Sequence, residues 1–107
     1  MIQIKTYSEF ENLIQKEELV FAYISQPQCS VCVSLLPKVE EMIDKYPKIK
    51  QAYIDTLVVP EVAGQLSVFS IPTVLLFVQK KEYFRLVRTF GISEIEQKIE
   101  RIYAHFE

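Results

Sequence analysis

Cys29 and Cys32 are the residues of this chain whose types and spacing are best suited to chemistry, and they are its only cysteines. They follow an apolar run, Leu19–Ile24, and open a segment with helical periodicity. A thiol at a helix N-terminus faces unpaired backbone N–H groups and the positive end of the helix dipole, and both favour the thiolate. The second cysteine, one turn later, is placed to close a disulfide with the first. The spacing therefore predicts dithiol–disulfide exchange.

In that chemistry Cys29 is the nucleophile that attacks a substrate disulfide, and Cys32 is the resolving thiol that releases the product. The alternative is a metal site. Zinc requires four ligands, and His105 is the only histidine, so a closed site within one chain would need carboxylates from elsewhere. A metal ion or cluster bridging two chains, or an inert cysteine pair, stays open at this point.

The composition bounds the class of protein. A chain of 107 residues predicts a single domain, 1–107. With 50% apolar and 12% aromatic residues, it can bury a hydrophobic core without disulfide bridges or metal ions to hold it together. A disulfide within CxxC closes too short a loop to stabilise the fold much, which favours a reactive pair. The net charge of −2 gives no electrostatic case for binding nucleic acid.

The N-terminal sequence lacks a basic region followed by a long apolar run, so no signal peptide is expected. The apolar run Val74–Val78 is far too short to span a membrane. No membrane association is therefore expected, and a reducing, cytoplasmic setting is the expected location.

Hydrophobic periodicity predicts elements in the order β-α-β-α-β-(α)-β-β-α, which is typical of an α/β fold with a central mixed sheet flanked by helices on both faces. Capping boxes at Ser8/Glu11 and Ser93/Glu96 predict the first and last helices. A long helix is expected over 29–46, and Pro60 fits the first turn of a short one. The expected strands are 2–5, 19–24, 49–55, 73–78 and 83–90, with a polar turn at 79–82.

Taken together, these motifs resemble the thioredoxin family over nearly the whole chain. The residues that carry the resemblance are the CxxC motif after a buried strand, Pro37 inside the following helix, Ile71-Pro72-Thr73 before a hairpin, and Gly91 with Ser93 at the last helix. The resemblance implies a thioredoxin-like fold with a cis bond before Pro72, the ordinary alternative being a trans proline. It also implies a thiol–disulfide oxidoreductase that acts on disulfide-containing proteins, binds no cofactor, and receives electrons from a reductase or a small thiol.

The resemblance further implies an apolar docking surface for an extended peptide, with the segment at Pro72 presenting its backbone. Its other members would be Ile71, Phe90, Gly91 and Val31. Plain core packing is the alternative for Ile71 and Phe90. Gln28 stands where the family commonly has tryptophan, which makes this surface more polar.

The departures from the family pattern concern the reactivity of the two thiols. Ser30-Val31 replace the usual Gly-Pro, which frees an amide that could stabilise the Cys29 thiolate and make the couple more oxidising. Tyr23 stands where the family commonly buries an aspartate that accepts the proton of the second thiol. Gln51 stands for its lysine partner, and losing both avoids an unpaired buried charge. For Tyr23 we expect mainly core packing, with hydrogen bonding near the second cysteine as the alternative.

The absence of the tryptophan, the buried aspartate and its lysine partner leaves a non-enzymatic function as an alternative hypothesis. A thioredoxin-fold adaptor would bind its partner through the surface at Ile71 and Phe90, with the cysteines incidental. Replacing both cysteines by serine separates the two hypotheses, because an adaptor would keep binding and an oxidoreductase would lose all turnover.

Overall fold

The computed structural model describes residues 1–106; residue 107, the last of the expected domain, lies outside the described residues. The elements in chain order are β1 (Ile2–Gln3), α1 (Tyr7–Lys16), β2 (Leu19–Ser25), α2 (Ser30–Ile43), β3 (Lys50–Asp55), α3 (Val62–Leu66), β4 (Thr73–Val78), β5 (Lys81–Val87), α4 (Ile92–Tyr103) and a 3₁₀ turn (Ala104–Phe106).

The strands form one mixed sheet in the order β1-β3-β2-β4-β5. β3 pairs in parallel with both β1 and β2, whereas β4 is antiparallel to β2 and β5 is antiparallel to β4. Because β2 and β4 run in opposite directions, the end of β2 and the start of β4 meet at one edge, where Ile24 pairs with Thr73. The expected α/β architecture is confirmed.

Strand β2 is the centre of the molecule, and all seven of its residues are buried. Successive side chains of a strand point to opposite faces, so a strand buried on both faces reads as a continuous apolar run. One face of the sheet packs against buried residues of α2 and α4, and the other packs against buried residues of α1 and α3. The helix that opens at the cysteines is therefore held on the first face.

The helix starts differ from the expected capping boxes. Thr6, not Ser8, is the N-cap of α1, and its hydroxyl accepts the amide of the third helical residue at 3.1 Å. The last helix begins at Ile92 with Gly91 as N-cap and no side-chain cap, so Ser93 lies inside the helix. Both capping-box predictions were wrong: at α1 the pair Thr6 and Glu9 has the same spacing as Ser8 and Glu11, and α4 begins without a side-chain cap.

The other boundaries shift by a few residues. The first strand ends at Gln3, the long helix covers Ser30–Ile43, and β5 runs from Lys81 to Val87. The turn between β4 and β5 consists of Gln79 and Lys80, whose φ angles are 50° and 75°. Positive φ at both positions is the geometry of a type I′ hairpin turn, which matches the twist of the flanking strands. Within residues 1–106, no helix is long and apolar enough to cross a lipid bilayer.

Candidate active site

The two cysteines lie at the start of α2, just beyond the end of β2. Cys29 is the N-cap residue with extended backbone, and its sulfur accepts the amide N–H of Cys32 at 3.2 Å. Both are free thiols; Cys29 is half-buried and Cys32 is fully buried. The amide that donates to the Cys29 sulfur is that of Cys32, and not the amide that the loss of proline frees at Val31. The pair thus has one accessible sulfur and one sheltered sulfur.

Pro72 lies at the same edge of the sheet as the cysteines, immediately before β4. The Ile71–Pro72 peptide bond is cis, which confirms the conformation expected from the sequence. The Pro72 carbonyl accepts the Arg88 amide at 2.8 Å, so the segment after β5 is tied to the proline. Gly91 follows on this segment, at the N-cap of α4. Segments 28–32, 71–72 and 88–91 therefore converge on one end of the sheet.

The residues of the expected docking surface differ in exposure. Val31 is 59% exposed and Gln28 is also exposed, whereas Ile71 and Phe90 are half-buried. Ile71 packs partly against one core cluster and Phe90 against the other, so both also serve the packing that was the alternative. Val31 lines a shallow depression of about 280 Å³, and Ile71 lines a separate one of about 370 Å³. The expected docking residues thus line two separate depressions and not one cavity.

Phe69 is an apolar surface residue that the sequence argument missed. It is 80% exposed and lines the same depression as Ile71. In the lining of this depression, Gln26 donates its side-chain amide to the Thr56 hydroxyl at 2.6 Å. An aromatic residue two positions before Ile71-Pro72 was the available signal, but its exposure could not be read from one sequence.

Tyr23 packs in the core and also forms a hydrogen bond with the backbone of Cys32. Its ring is fully buried on β2, and its hydroxyl donates to the backbone carbonyl of Cys32 at 2.8 Å. Burial, followed by the neighbouring Cys32 and Cys29, raises the pKa of Tyr23 far above its ordinary value. The hydrogen bond near Cys32, the minority alternative, is therefore present, and the phenol stays protonated.

A second pair of hydroxyls lies beside Tyr23. Tyr53 is in register with Tyr23 on the neighbouring strand β3, and their ring centroids are 6.3 Å apart. The Tyr53 hydroxyl donates to the hydroxyl of Ser25, the last residue of β2, at 3.3 Å. Sequence reasoning missed this pair, because the strand register that brings it together is not visible in the sequence.

The electrostatics of Cys32 are set by opposing effects. Burial raises the pKa of this thiol first of all, and its hydrogen bond with Cys29 acts in the same direction. Hydrogen bonds with the Ser25 side chain and the Gln26 backbone lower the pKa, and the net direction is upward. Cys32 is therefore a thiol at neutral pH, and its thiolate depends on the few hydrogen bonds around it.

Gln51, which stands at the lysine position of the family pattern, and Asp55 have structural roles. Gln51 turns its side-chain amide to the Asp44 carboxylate at 2.9 Å. Asp55 ends β3 and accepts the Leu57 amide at 2.8 Å, which organises the following loop. Across residues 1–106, no group of three or more histidine, cysteine, aspartate or glutamate side chains is arranged to hold a metal ion.

Comparison with known proteins identifies the relatives of this fold. The thioredoxin family model matches residues 1–101. A thioredoxin-like protein of Bacillus subtilis, YdfQ, is 37% identical over 107 residues, covering 100% of this chain and 96% of its own. Thioredoxin-1 of Saccharomyces cerevisiae is 32% identical over 79% of this chain and 82% of its own. The structure of Plasmodium falciparum thioredoxin superposes with a TM-score of 0.86 at 25% identity, covering 94% of this chain and 98% of that one.

Proposed function

The chain belongs to the thioredoxin family, and we propose that it is an enzyme that reduces or exchanges protein disulfides through Cys29 and Cys32. Family membership supports a thiol–disulfide oxidoreductase role in general. The observation that carries the specific proposal is the Cys29 sulfur, half-buried at the N-cap of α2 and 3.2 Å from the Cys32 amide. A negative charge on that sulfur meets backbone donors and the positive end of the helix dipole.

The reaction proceeds by two thiol–disulfide exchanges. The Cys29 thiolate attacks one sulfur of the substrate disulfide; a mixed disulfide forms, and the other substrate sulfur leaves as a thiolate. The Cys32 thiolate then attacks the Cys29 sulfur, closes the Cys29–Cys32 disulfide and expels the second substrate thiolate. Two electrons pass from the dithiol to the substrate. A separate reductase or a small thiol returns them, and no bound cofactor takes part.

The substrate docks as an extended segment across the end of the sheet. Val31 and Gln28 adjoin the two cysteines in the chain, the segment that ends at cis-Pro72 offers the backbone of Ile71, and the half-buried Phe90 and the N-cap Gly91 complete the surface. Main-chain hydrogen bonds of this kind give affinity with little side-chain selectivity, which suits diverse disulfide proteins. Ser30, Val31 and Tyr23 tune the redox poise, and a reducing compartment such as the cytoplasm is the setting.

A second candidate function is an adaptor that binds a partner without catalysis. The observation that favours it is Phe69, which is 80% exposed and lines one depression together with Ile71. Single exposed apolar residues are common on soluble proteins, but apolar residues that line one depression mark interaction sites more often. The adaptor predicts that this surface, and not the cysteines, decides partner binding.

The test is an equilibrium redox titration of metal-free protein in glutathione buffers. The proposal predicts a reversible Cys29–Cys32 disulfide; a midpoint near about −270 mV indicates a reductant, and one above about −200 mV an oxidant or isomerase. Failure to form this disulfide at any poise contradicts the proposal.

Matched single variants then separate the roles of the two thiols. Cys32→Ser is expected to accumulate a mixed disulfide with a substrate protein, and Cys29→Ser is expected to form none. Equal trapping by both variants would contradict the assigned roles. A double serine variant that keeps full partner binding and full cellular activity would favour the adaptor.

A further inference from the structure

The depression beside Phe69 has no role in the two exchange steps. Phe69 is 80% exposed, more than any other large apolar side chain of residues 1–106, and it lines this depression of about 370 Å³. A cleft at the lower end of the size of ligand pockets suits one large side chain. Aromatic residues are enriched at the centres of protein interfaces, so the depression is a candidate for contact with another chain.

The depression borders the reactive site on two sides. Gln26 lines it, and the backbone carbonyl of Gln26 accepts the amide of Cys29 at 3.2 Å. Ile71 also lines it and precedes the cis peptide bond to Pro72, in the segment that offers its backbone to the substrate. A substrate chain that lies along this segment while its disulfide reaches Cys29 therefore has the depression within reach of its neighbouring side chains.

The lining favours an apolar side chain. Among the described residues that line the depression, none is charged. Its two longest polar side chains, Gln26 and Thr56, are bonded to each other at 2.6 Å, so this pair does not require a polar partner from the substrate. A large apolar side chain gains the free energy of burial against Phe69 and Ile71, whereas a charged side chain would lose water without meeting a partner.

Arg85 anchors the first half of the segment that carries Phe69. Its guanidinium donates to the Leu66 carbonyl at 2.8 Å and to the Ser67 carbonyl at 3.0 Å. Ser67 has a φ of 54°, so α3 ends in a left-handed residue whose carbonyl this guanidinium holds. The Glu82 carboxylate accepts from the same guanidinium at 2.7 and 2.8 Å, which fixes the orientation of the arginine.

Thr73 anchors the other half of the segment. Its hydroxyl donates to the Ser70 carbonyl at 2.7 Å, and Thr73 is the first residue of β4. The segment 67–70 is therefore tied to β5 at one end and to β4 at the other, with the Phe69 ring exposed between the two anchors. A side chain on an anchored segment loses less conformational freedom on binding than one on a free loop.

We propose that the depression at Phe69 is a specificity subsite for a large apolar side chain two residues from the reacting cysteine of the substrate, and that Arg85 is a positioning residue for this subsite. This assignment rests on the proposed oxidoreductase function and names a substrate class for it. In an extended segment, side chains two residues apart point to the same side and lie roughly 7 Å apart. The preferred substrates are therefore disulfides flanked by a leucine-like or aromatic residue, and the bonds that form and break are those of the two exchange steps.

The test is a competition between two peptide disulfides for a limiting amount of reduced protein. Each is the symmetric disulfide of a short blocked peptide with one cysteine, and the two differ only in leucine or serine two residues before the cysteine. A second pair carries the same change two residues after the cysteine. The ratio of the two thiols released, in early acid-quenched samples, gives the ratio of the two kcat/KM values. The same ratio measured with dithiothreitol corrects for intrinsic reactivity.

The wild-type protein is expected to prefer the leucine peptide about tenfold in one of the pairs, because the leucine side chain becomes partly buried. Phe69→Ser is expected to reduce this preference to less than about threefold, whereas Phe69→Leu should retain most of it. The rate constant for the serine peptide should be the same in all three proteins. The matched control is Tyr83→Ser, which removes a ring that is 43% exposed on β5 and should leave the preference unchanged.

The ratio also separates positioning by Arg85 from a general loss of structure, because a poorly folded protein reduces both peptides more slowly and keeps their ratio. Arg85→Ala is expected to lower the preference about threefold, since the anchored segment gains freedom that binding must remove. Arg85→Lys should restore it only in part, because an ammonium group lacks the fixed fork that spans two carbonyls. A full preference in Arg85→Ala would exclude the positioning role.

Equal corrected rates for the leucine and serine peptides in both pairs would overturn the subsite, and so would a preference in Phe69→Ser as large as that of the wild type. Phe69→Ser is expected to fold because the ring it removes is mostly exposed. The two proposals fail in different ways. Reduction of neither peptide, with dithiothreitol reducing both, would refute the proposed function and the subsite with it. Reduction of both at equal rates would refute the subsite alone.

Discussion

Replacing Tyr23 by phenylalanine is expected to destabilise the reduced protein by about 0.5–1.5 kcal/mol, because it removes the buried hydrogen bond that the phenol donates to the first turn of α2. The Tyr23 side chain is fully buried, and its hydroxyl donates to the Cys32 carbonyl at 2.8 Å. The ring is retained in the phenylalanine variant, so the packing of β2 against α2 is unchanged. The loss therefore measures one hydrogen bond between the central strand and the helix of the cysteines.

Tyr23→Asp, which introduces the acid typical of the family, is expected to cost more. The change removes a buried aromatic ring and buries a carboxyl group, and the two effects together cost at least about 4 kcal/mol. Gln51 offers no positive charge to pair with this acid, and its amide is bonded to Asp44 at 2.9 Å. Since a domain of this kind is stable by about 5–15 kcal/mol, the aspartate variant should lose a large share of its stability.

Urea unfolding of the reduced proteins at pH 7 measures both effects, with stability taken from the midpoint at a constant m-value. Tyr83→Phe is the matched control, because Tyr83 lies on β5 and is 43% exposed, and its change should stay within about 0.5 kcal/mol. If Tyr23→Phe proved as stable as Tyr83→Phe, the hydrogen bond to Cys32 would contribute nothing to the free energy of unfolding. If Tyr23→Asp matched the parent, the argument that the acid and the lysine must be lost together would be refuted.

Three further predictions concern the rest of the fold. Lys80→Gly should stabilise the protein by about 1 kcal/mol because Lys80 has a φ of 75°, whereas Lys81→Gly, one residue later in β5, should cost about 0.5–1 kcal/mol; urea midpoints that move in the same direction would contradict this. Arg85→Ala should cost about 1–2 kcal/mol and speed amide exchange after α3, because the guanidinium donates at 2.8 and 3.0 Å to two carbonyls at the end of this helix. Arg85 also holds the pKa of Glu82 below its ordinary value of 4.5, so this ion pair supports stability above that pH and loses its contribution as the pH falls. Arg85→Ala should weaken this pH dependence. Because burial raises the pKa of Cys32 above its ordinary value of 9.0, the unfolded chain ionises first, and the reduced protein should lose stability as the pH rises through 9; Cys32→Ser should remove this component, and an identical pH profile in the variant would exclude it.

The sheet could be predicted from the sequence because its central strands carry their own signal. β2 and β4 are nearly continuous apolar runs, and only strands buried on both faces need such runs. The cis bond between Ile71 and Pro72 could also be predicted once the CxxC motif was recognised, and it is present. The first residue of α1 was harder to predict, since Thr6 and Ser8 are both suitable N-cap residues and only tertiary packing decides between them.

The candidate site divides in the same way. Cys29 and Cys32 could be found because a local spacing defines them. The pair Ser25 and Tyr53 could not, because their residues are separated by 28 positions and meet only through the parallel register of β2 and β3. Ser25 is visible in the sequence merely as the polar end of an apolar run.

The hydroxyl groups beneath Cys32 and the loss of the acid and its lysine form one consistent exchange. A buried carboxylate needs a cationic partner, whereas hydroxyl groups satisfy one another without a net charge. Tyr23, Tyr53 and Ser25 therefore form a neutral set of hydroxyl groups in place of an ion pair, and Tyr23 bonds the backbone of Cys32. Such a neutral set has no ionisation of its own near pH 7, so the pH dependence of resolution should follow a single thiol ionisation. A second ionisation in the pH profile of resolution would show that another titrating group serves Cys32.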